Sequence, residues 1–510
     1  MPHHLTKQLP PIQAHHPATR HRLVRNMLRM AAATLIGSLG LVAVACGSDV
    51  AVETTGAADQ IVSSTTSPST TTAGTTSSGA GSGLFDNSVV HEISASFSQE
   101  DYEAMIQTYR NSDTKDWIEA TVTIDGATYQ NVGIRLKGNS SLSGIKSGRA
   151  GGPSGDVSTE RPEGLPWLIR LDKFVDGQNH DGVKELVVRS NISETALNEA
   201  VATELLELAE LASQKAIAAR FSVNDSEAVL RLVIEHPDDV WMAANFSAGG
   251  ALYKAESTGD YSYRGSDPSS YDEVFDQEAG KKNADLTPLI DFLDFINNTD
   301  DTTFYSTLAD RLDVESFATY LAMEEMLGNF DDIDGPGNNS YLYYDPATDR
   351  FTVVAWDHNL AFGGMGEMGG NAPGADRVAP DSVAPDSVAP GRAGPGGMAP
   401  GRMAPDRSGL GDMAPDRAGH GGMGFGPGGK SNKLVERFHA NSKLEALYEE
   451  RLADLKTKLF ESGVGAEVLA RWVTLLETQA SDLVDAATIK TEAAKIGSYF
   501  TTDQAAARGS

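Results

Sequence analysis

An amide and a carboxylate bracket one apolar hairpin in this chain. The stretch NSYLYYDPATDRFTVVAWDHNLAFGG, residues 339–364, reads as two strands, YLYY and FTVVAW, around a turn at Pro346-Ala347-Thr348-Asp349. Residues that face each other in an antiparallel hairpin lie at equal distances from its turn. Counting outward from the turn centre predicts that Asn339 and Asp357 sit side by side at the open end. An amide oxygen and a carboxylate that converge are good ligands for a hard cation such as Mg2+ or Mn2+, which takes oxygen donors. Just upstream, NFDDIDGPGNN adds Asp331, Asp332 and Asp334 on a loop containing Gly and Pro. A loop aspartate that accepts a hydroxyl proton, then an asparagine and a more distant aspartate that hold metal on nucleotide phosphates, is the parts list of protein-kinase chemistry. Asp334 has the kinase spacing to Asn339 but lacks the His-Arg lead-in. Taken alone, the hairpin equally fits solvated acids at turns and strand ends.

A second set of residues points the same way. The strand ending GIRLKGNSS carries Arg135 and Lys137 on one face by alternation, and it runs into a Gly/Ser-rich turn. Two cations there, with close backbone approach at Gly138, suit phosphate oxygens. The spacing fits an exposed basic strand end equally well.

The surrounding sequence supplies the elements that must hold these groups. EISASF reads as a strand, followed by a helix opened by Ser98 with Asp101 as a capping acid. Asp125-Gly126 joins two alternating strands, and LPWLIRLDKF and KELVVRSN are further strand-like runs. SETALNEAVATELLELAELAS is a long helix with Leu197, Val201, Leu205 and Leu208 at helical spacing. AIAARFSVN and AVLRLVIEHP read as a strand pair, GALYKAE as a later strand, and DLTPLIDFLDFINN and VESFATYLAMEEMLGNF as helices before the hairpin. Strands first and helices later imply an α+β fold with a strand-rich N-terminal lobe and a helix-rich C-terminal lobe.

Read in order, RLKGNSS, the W-x-I-R-L-D-K-F strand with its D-G-Q continuation, ELVVRSN before a long helix, GALYK, N-F-D…GNNSYLYYD and WDHNLAFG resemble the CotH kinase family, the spore-coat protein H type of atypical protein kinase. The resemblance spans roughly Val89 to Gly364. It implies a two-lobed kinase-like fold and ATP-dependent transfer of phosphate to Ser of surface or secreted proteins. It makes Asp357 the metal-binding aspartate and Asn339 the second metal ligand. Asp331 holds the family's place for the base, with Asp334 the alternative by spacing. Arg135 and Lys137 become phosphate contacts, and Lys254 of LYK is either a third or a structural strand lysine. A glutamate of the 194–210 helix, Glu199 or Glu204, is expected to orient the phosphate lysine. His358 stands where the family more often has another residue, and no catalytic step falls to it. A surface-binding protein that keeps the fold without turnover is the alternative. A calcium module on DDIDGPGNN fails the EF-hand pattern, because Gly335 at the sixth position would put Phe330 first and Tyr341 last.

The chain ends and composition bound the setting. Residues 1–45 carry Lys7, Arg20, Arg22, Arg25 and Arg29 with no acid, then an apolar run, MAAATLIGSLGLVAVA, too short for a membrane-spanning helix. That is the layout of a signal peptide. Cys46, the single cysteine, follows it directly, and AVAC resembles a bacterial lipobox, implying a lipid anchor on the outer face of the cell membrane. Residues 46–84 read as a Ser/Thr/Gly-rich tether, 85–364 as the kinase-like domain, and 365–430 as a disordered Gly/Pro/Met-rich insertion. Residues 431–505 read as the helical remainder of the domain. Removing 1–45 takes the formal net charge from −30 to about −35, since five basic residues go and no acid does. Such a field excludes nucleic acid as a general partner.

Overall fold

Alternation decides the architecture of the first half. Burial in strand β1 (His91–Phe97) falls on Ile93 and Ala95; after helix α1 (Gln99–Ser112), burial in β2 (Ile118–Ile124) falls on every second residue. Ser98 caps α1 by accepting from the Asp101 amide. Period-two burial turns one face of each strand toward a shared interior. The strands continue with β3 (Ala127–Leu136), then the short helix α2 (Ser143–Ser147), β4 (Trp167–Arg170) and β5 (Glu185–Val188). Helix α3 (Leu197–Leu208), β6 (Ala216–Val223) and β7 (Val229–Glu235) complete this part. In the computed structural model, which describes residues 83–147, 157–247, 249–256, 259–335, 339–363 and 432–501, the hydrogen-bonding order is β1-β2-β3-β4-β5-β7-β6, and β6 returns parallel to β1. The seven strands therefore close into a barrel.

Val122, Ile134, Trp167, Ile169, Val188 and Phe221 fill the interior. The short runs WLIR and ELVV are apolar on both faces for a reason: Leu168 and Val187 point outward, into the cluster that holds Leu197, Val201 and Leu205 of α3. Leu84, placed by sequence at the end of the tether, is buried in the barrel cluster.

The second half begins with α4 (Asp239–Asn245), β8 (Ala251–Ala255), β9 (Phe275–Ala279), α5 (Thr287–Asn298), α6 (Asp301–Arg311) and α7 (Val314–Leu327). Strands β10 (Ser340–Asp345) and β11 (Arg350–Ala355) form the hairpin, and the four strands make a second sheet in the order β11-β10-β8-β9. Phe292 of α5 stacks on Phe351 of β11 with ring centroids 4.5 Å apart. The tail folds as α8 (Lys433–His439), α9 (Ser442–Leu455), α10 (Val464–Gln479) and α11 (Ala486–Gly497). It is tied to the barrel side: the Glu492 carboxylate accepts from the amides of Glu194 and Thr195 at 3.0 and 3.1 Å, holding the segment that leads into α3, whose first amide, that of Leu197, donates to Thr195 Oγ1.

The α+β class stands. The strand-rich first half is a closed seven-stranded barrel, and the four strands β8–β11 of the second sheet are interleaved with helices. The described residues all fall in one compact unit. Cys46, the export segment and the 365–430 insertion lie outside the described residues. Among the described residues no helix is long and apolar enough to cross a membrane.

Trp167 anchors the barrel interior, fully buried, with its indole donating to the Pro162 carbonyl at 2.8 Å and its ring beside Phe97 and Tyr102. Trp167→Ala is expected to cost about 3–5 kcal/mol, read as a lower denaturant midpoint at unchanged slope.

Candidate active site

The hairpin pairs Ser340 with Ala355 through to Asp345 with Arg350. This register corrects the sequence count: continued outward, it would set Trp356, not Asp357, opposite Asn339. Neither residue continues the ladder, however. Asn339 and Asp357 both take left-handed backbone, with φ of 53° and 68°, just past the last pair. Asn and Asp tolerate that region better than most residues, which is a local reason for their presence there.

Both turn toward the preceding loop. The Asn339 amide donates to the Asp331 carbonyl at 3.0 Å. The Asp331 carboxyl is pushed up to about 6, first by burial and then by the negative charge of Asp357, while Asn339 hydrogen bonding opposes the rise. Asp331, Asn339 and Asp357 are thus brought together. Asp334 is not among them; it is exposed, and its charged neighbours are His439 and Glu436 of α8. Asp332 shapes the loop between them, its buried Oδ1 accepting from the amides of Asp334 and Gly335 at 3.0 and 2.8 Å. Its carboxyl lies well above the usual range, through burial and the nearby Glu324. His358 packs beneath the site, with Nε2 3.0 Å from buried Glu324, which also accepts from Asn329 at 2.8 Å.

Asp357 has a partner that sequence reasoning passed over. Arg189, just past β5, donates to Asp357 Oδ1 and makes two contacts with Glu199 of α3, at 2.9 and 2.8 Å. Burial would lower the guanidinium's affinity for its proton, but Asp357 and Glu199 together raise it. The expectation that Glu199 or Glu204 orients Lys137 is therefore corrected: Glu199 holds Arg189, and Glu204 accepts from Arg471 and, at 3.0 Å, from the Trp472 indole.

Lys137 finds other partners. Its ammonium donates to His236 Nε2 at 2.9 Å and stands 5.8 Å from the Trp356 ring centroid; Arg189 stands 5.9 Å from the same ring. Trp356 therefore separates the lysine from the arginine. His236 is fully buried, and burial and Lys137 both lower its pKa, so the neutral ring accepts at Nε2 while Nδ1 faces Glu185 at 2.8 Å. Burial pushes Lys137 down to about 8, against the pull of Glu278. Glu278 lies at about 2, because Lys137 above all, then His236 and Lys281, outweigh its burial.

Both members of this pair shift downward, which a simple ion pair would not do. For Lys137 burial is the larger cause, with Lys254 and Arg135 adding to it, whereas Glu278 is drawn down by the cations against its burial. Lys115, unremarked in sequence, is pushed down to about 8 by burial and by Arg135. Arg135 is lowered by burial, lies over Trp117 at 4.9 Å, and has a buried Nε with no hydrogen-bond partner. Lys254 is tied to Glu256 at 3.1 Å yet contributes to the field at Lys137 and Lys115. Lys115, Arg135, Lys137 and Lys254 thus gather beside Glu185, Glu256, Asp276 and Glu278, and the buried Arg135 N–H, without a partner among the described residues, is suited to an anion.

The metal side fits a hard divalent ion by the chemistry of its donors, all oxygens, and by the cation already held on Asp357. Among the described residues no three His, Cys, Asp or Glu side chains are grouped to hold a metal alone. Magnesium characteristically takes one or two carboxylates and completes its shell with water and substrate phosphates.

Residues 134–482, more than half of the 510-residue chain, match the family described as CotH kinase protein. No curated protein matches the chain. The matched span runs from the end of β3 to just past α10, and it includes Arg135, Lys137, Arg189, Glu199, Asp331, Asn339 and Asp357. The chain belongs to the CotH kinase family.

Proposed function

We propose that this chain is an ATP-dependent protein kinase acting outside the cytoplasm on Ser, and by the same chemistry Thr, of surface or secreted proteins. The observation that carries the reading is the adjacency, across Trp356, of a cation-rich cleft and an acid–amide trio. Lys137 and Arg135 bind and orient the nucleotide phosphates, with Lys115 and Lys254 adding to the field. Asn339 and Asp357 hold Mg2+ or Mn2+, which supplies neutralisation of phosphate charge. Asp331, kept close to both, accepts the proton of the substrate hydroxyl as its oxygen bonds to the γ-phosphorus and the bond to the β-phosphate oxygen breaks. Its raised pKa suits a base working near neutral pH. Lys254, locked to Glu256, is mainly a strand lysine. We further propose that Cys46 carries the lipid that keeps the protein at the membrane.

Asp357→Ala is expected to abolish metal-dependent ATP binding and to lower phosphate transfer by at least about 10²–10³-fold, as radiolabel incorporation reads. ATP binding that ignores both metal and the substitution would remove the assignment. The pH dependence follows from Lys137. The charged ammonium binds phosphate, so ATP affinity should be flat below pH 8, where the lowered pKa of about 8 leaves it protonated, and fall up to tenfold per unit above. Lys137→Arg should flatten that limb, because guanidinium keeps its proton. Cys46→Ser should move the protein from the membrane fraction to the soluble fraction; unchanged retention would mean another tether.

A further inference from the structure

ELVVRSN belongs to the family-like motifs, and the roles above leave its arginine unused. Arg189 binds two carboxylates of unequal freedom. Glu199 is buried within α3, contacted twice, and has nowhere else to turn. Leaving such a carboxylate unpaired is costly, so the Arg189–Glu199 tie is the permanent one. Asp357 is the more exposed partner, with 25% of its side chain accessible against 4% for Glu199, and sits in a left-handed turn at the site's edge. Its contact with Arg189 is the one that can be exchanged.

We propose that Arg189 is a place-holding cation on Asp357, which makes divalent-metal binding depend on the presence of nucleotide. This rests on the kinase reading of the site. A guanidinium and a divalent ion on one carboxylate repel each other, so metal alone enters against Arg189. A nucleotide changes the balance by offering the released N–H groups a phosphate acceptor, in the planar geometry that guanidinium favours. The site then binds metal and nucleotide together and takes up free divalent ions poorly. By linkage the coupling is reciprocal: whatever nucleotide adds to metal affinity, metal adds to nucleotide affinity. Arg189 acts here as a positioning residue.

The test measures Mn2+ affinity of the full chain without nucleotide, by the resonance signal of free Mn2+, together with affinity for Mn·ATP. Arg189→Gln is expected to bind free Mn2+ about tenfold more tightly than the parent, the size of effect an adjacent cation has on a carboxylate, and Mn·ATP more weakly. Arg189→Lys should keep the parent's weak Mn2+ binding, and adding Asp357→Asn to Arg189→Gln should erase the gain. Because Arg189→Gln strands Glu199, the double variant Arg189→Gln/Glu199→Gln, which removes that buried charge and leaves only the more exposed Asp357 without its cation, carries the same expectation. Unchanged or weaker Mn2+ binding in both overturns the proposal while Asp357-dependent Mn·ATP binding by the parent leaves the kinase reading intact. Mn·ATP binding by the parent that Asp357→Asn does not weaken overturns both.

Discussion

One half-hidden guanidinium joins the three parts of this fold. Arg189 leaves the barrel at the end of β5, meets Glu199 on α3, and reaches Asp357 past the end of β11. Each of those parts could pack without the others, but the charges cannot be left apart once buried, because an uncompensated carboxylate in an apolar surround is far more expensive than a lost contact. Glu199 shows the strain of this arrangement: its pKa is raised, burial first, with Asp357 adding to the rise and Arg189 only partly offsetting both. The tie therefore sets the relative placement of helix, barrel and hairpin, and through them the distance between the cation-rich cleft and the acids.

The same logic explains why the last helices matter to a site they do not touch. α3 begins without a local side-chain cap, at Ala196 with a positive φ of 52°. Glu492 of α11 accepts from the Glu194 and Thr195 amides in the segment just before α3, and Arg471 of α10 contacts Glu204 midway along. A helix that must present Glu199 at a fixed height is thereby held at its start and along its outer face. The kinase-like pattern of a helix glutamate orienting a cation is retained, but the cation is an arginine from β5, while the phosphate-facing lysine leans on His236 and Glu278 instead.

Local features were legible in the sequence and non-local ones were not. The Asp125-Gly126 hairpin, the Ser98 cap, the β6–β7 pair and the apolar stripe of α3 are each written in a few neighbouring residues, and each appears as expected except that Leu208, at the end of the stripe, is exposed. The hairpin of β10 and β11 was readable as well, to within one residue of register; the error arose because a turn centre counts residues and cannot show that Asn339 and Asp357 leave the ladder in left-handed conformations. Barrel closure was out of reach, since the parallel pairing of β1 with β6 joins segments separated by over a hundred residues and leaves no mark on either. Arg189 had a signal, a lone charge closing an apolar run. His236 and Glu278 had none, because what gives them meaning is the neighbour that β7 and β9 bring, not their own flanks.

A formal charge of −30 and a cleft proposed to bind phosphate are compatible, and together they restrict what enters. At physiological ionic strength, charges on the surface act over roughly 8 Å, so a small anion that reaches the cleft is governed by the buried groups rather than by the net charge. The cations there draw Glu278 down despite its burial, while Lys137 is lowered first by burial and then by Lys254 and Arg135. A polynucleotide would have to lie across the acidic exterior to present one phosphate to Lys137, and its other phosphates would meet carboxylates. The gathering of Lys115, Arg135, Lys137 and Lys254 in one place on a chain of net negative charge thus favours a compact polyphosphate over a polymer on electrostatic grounds.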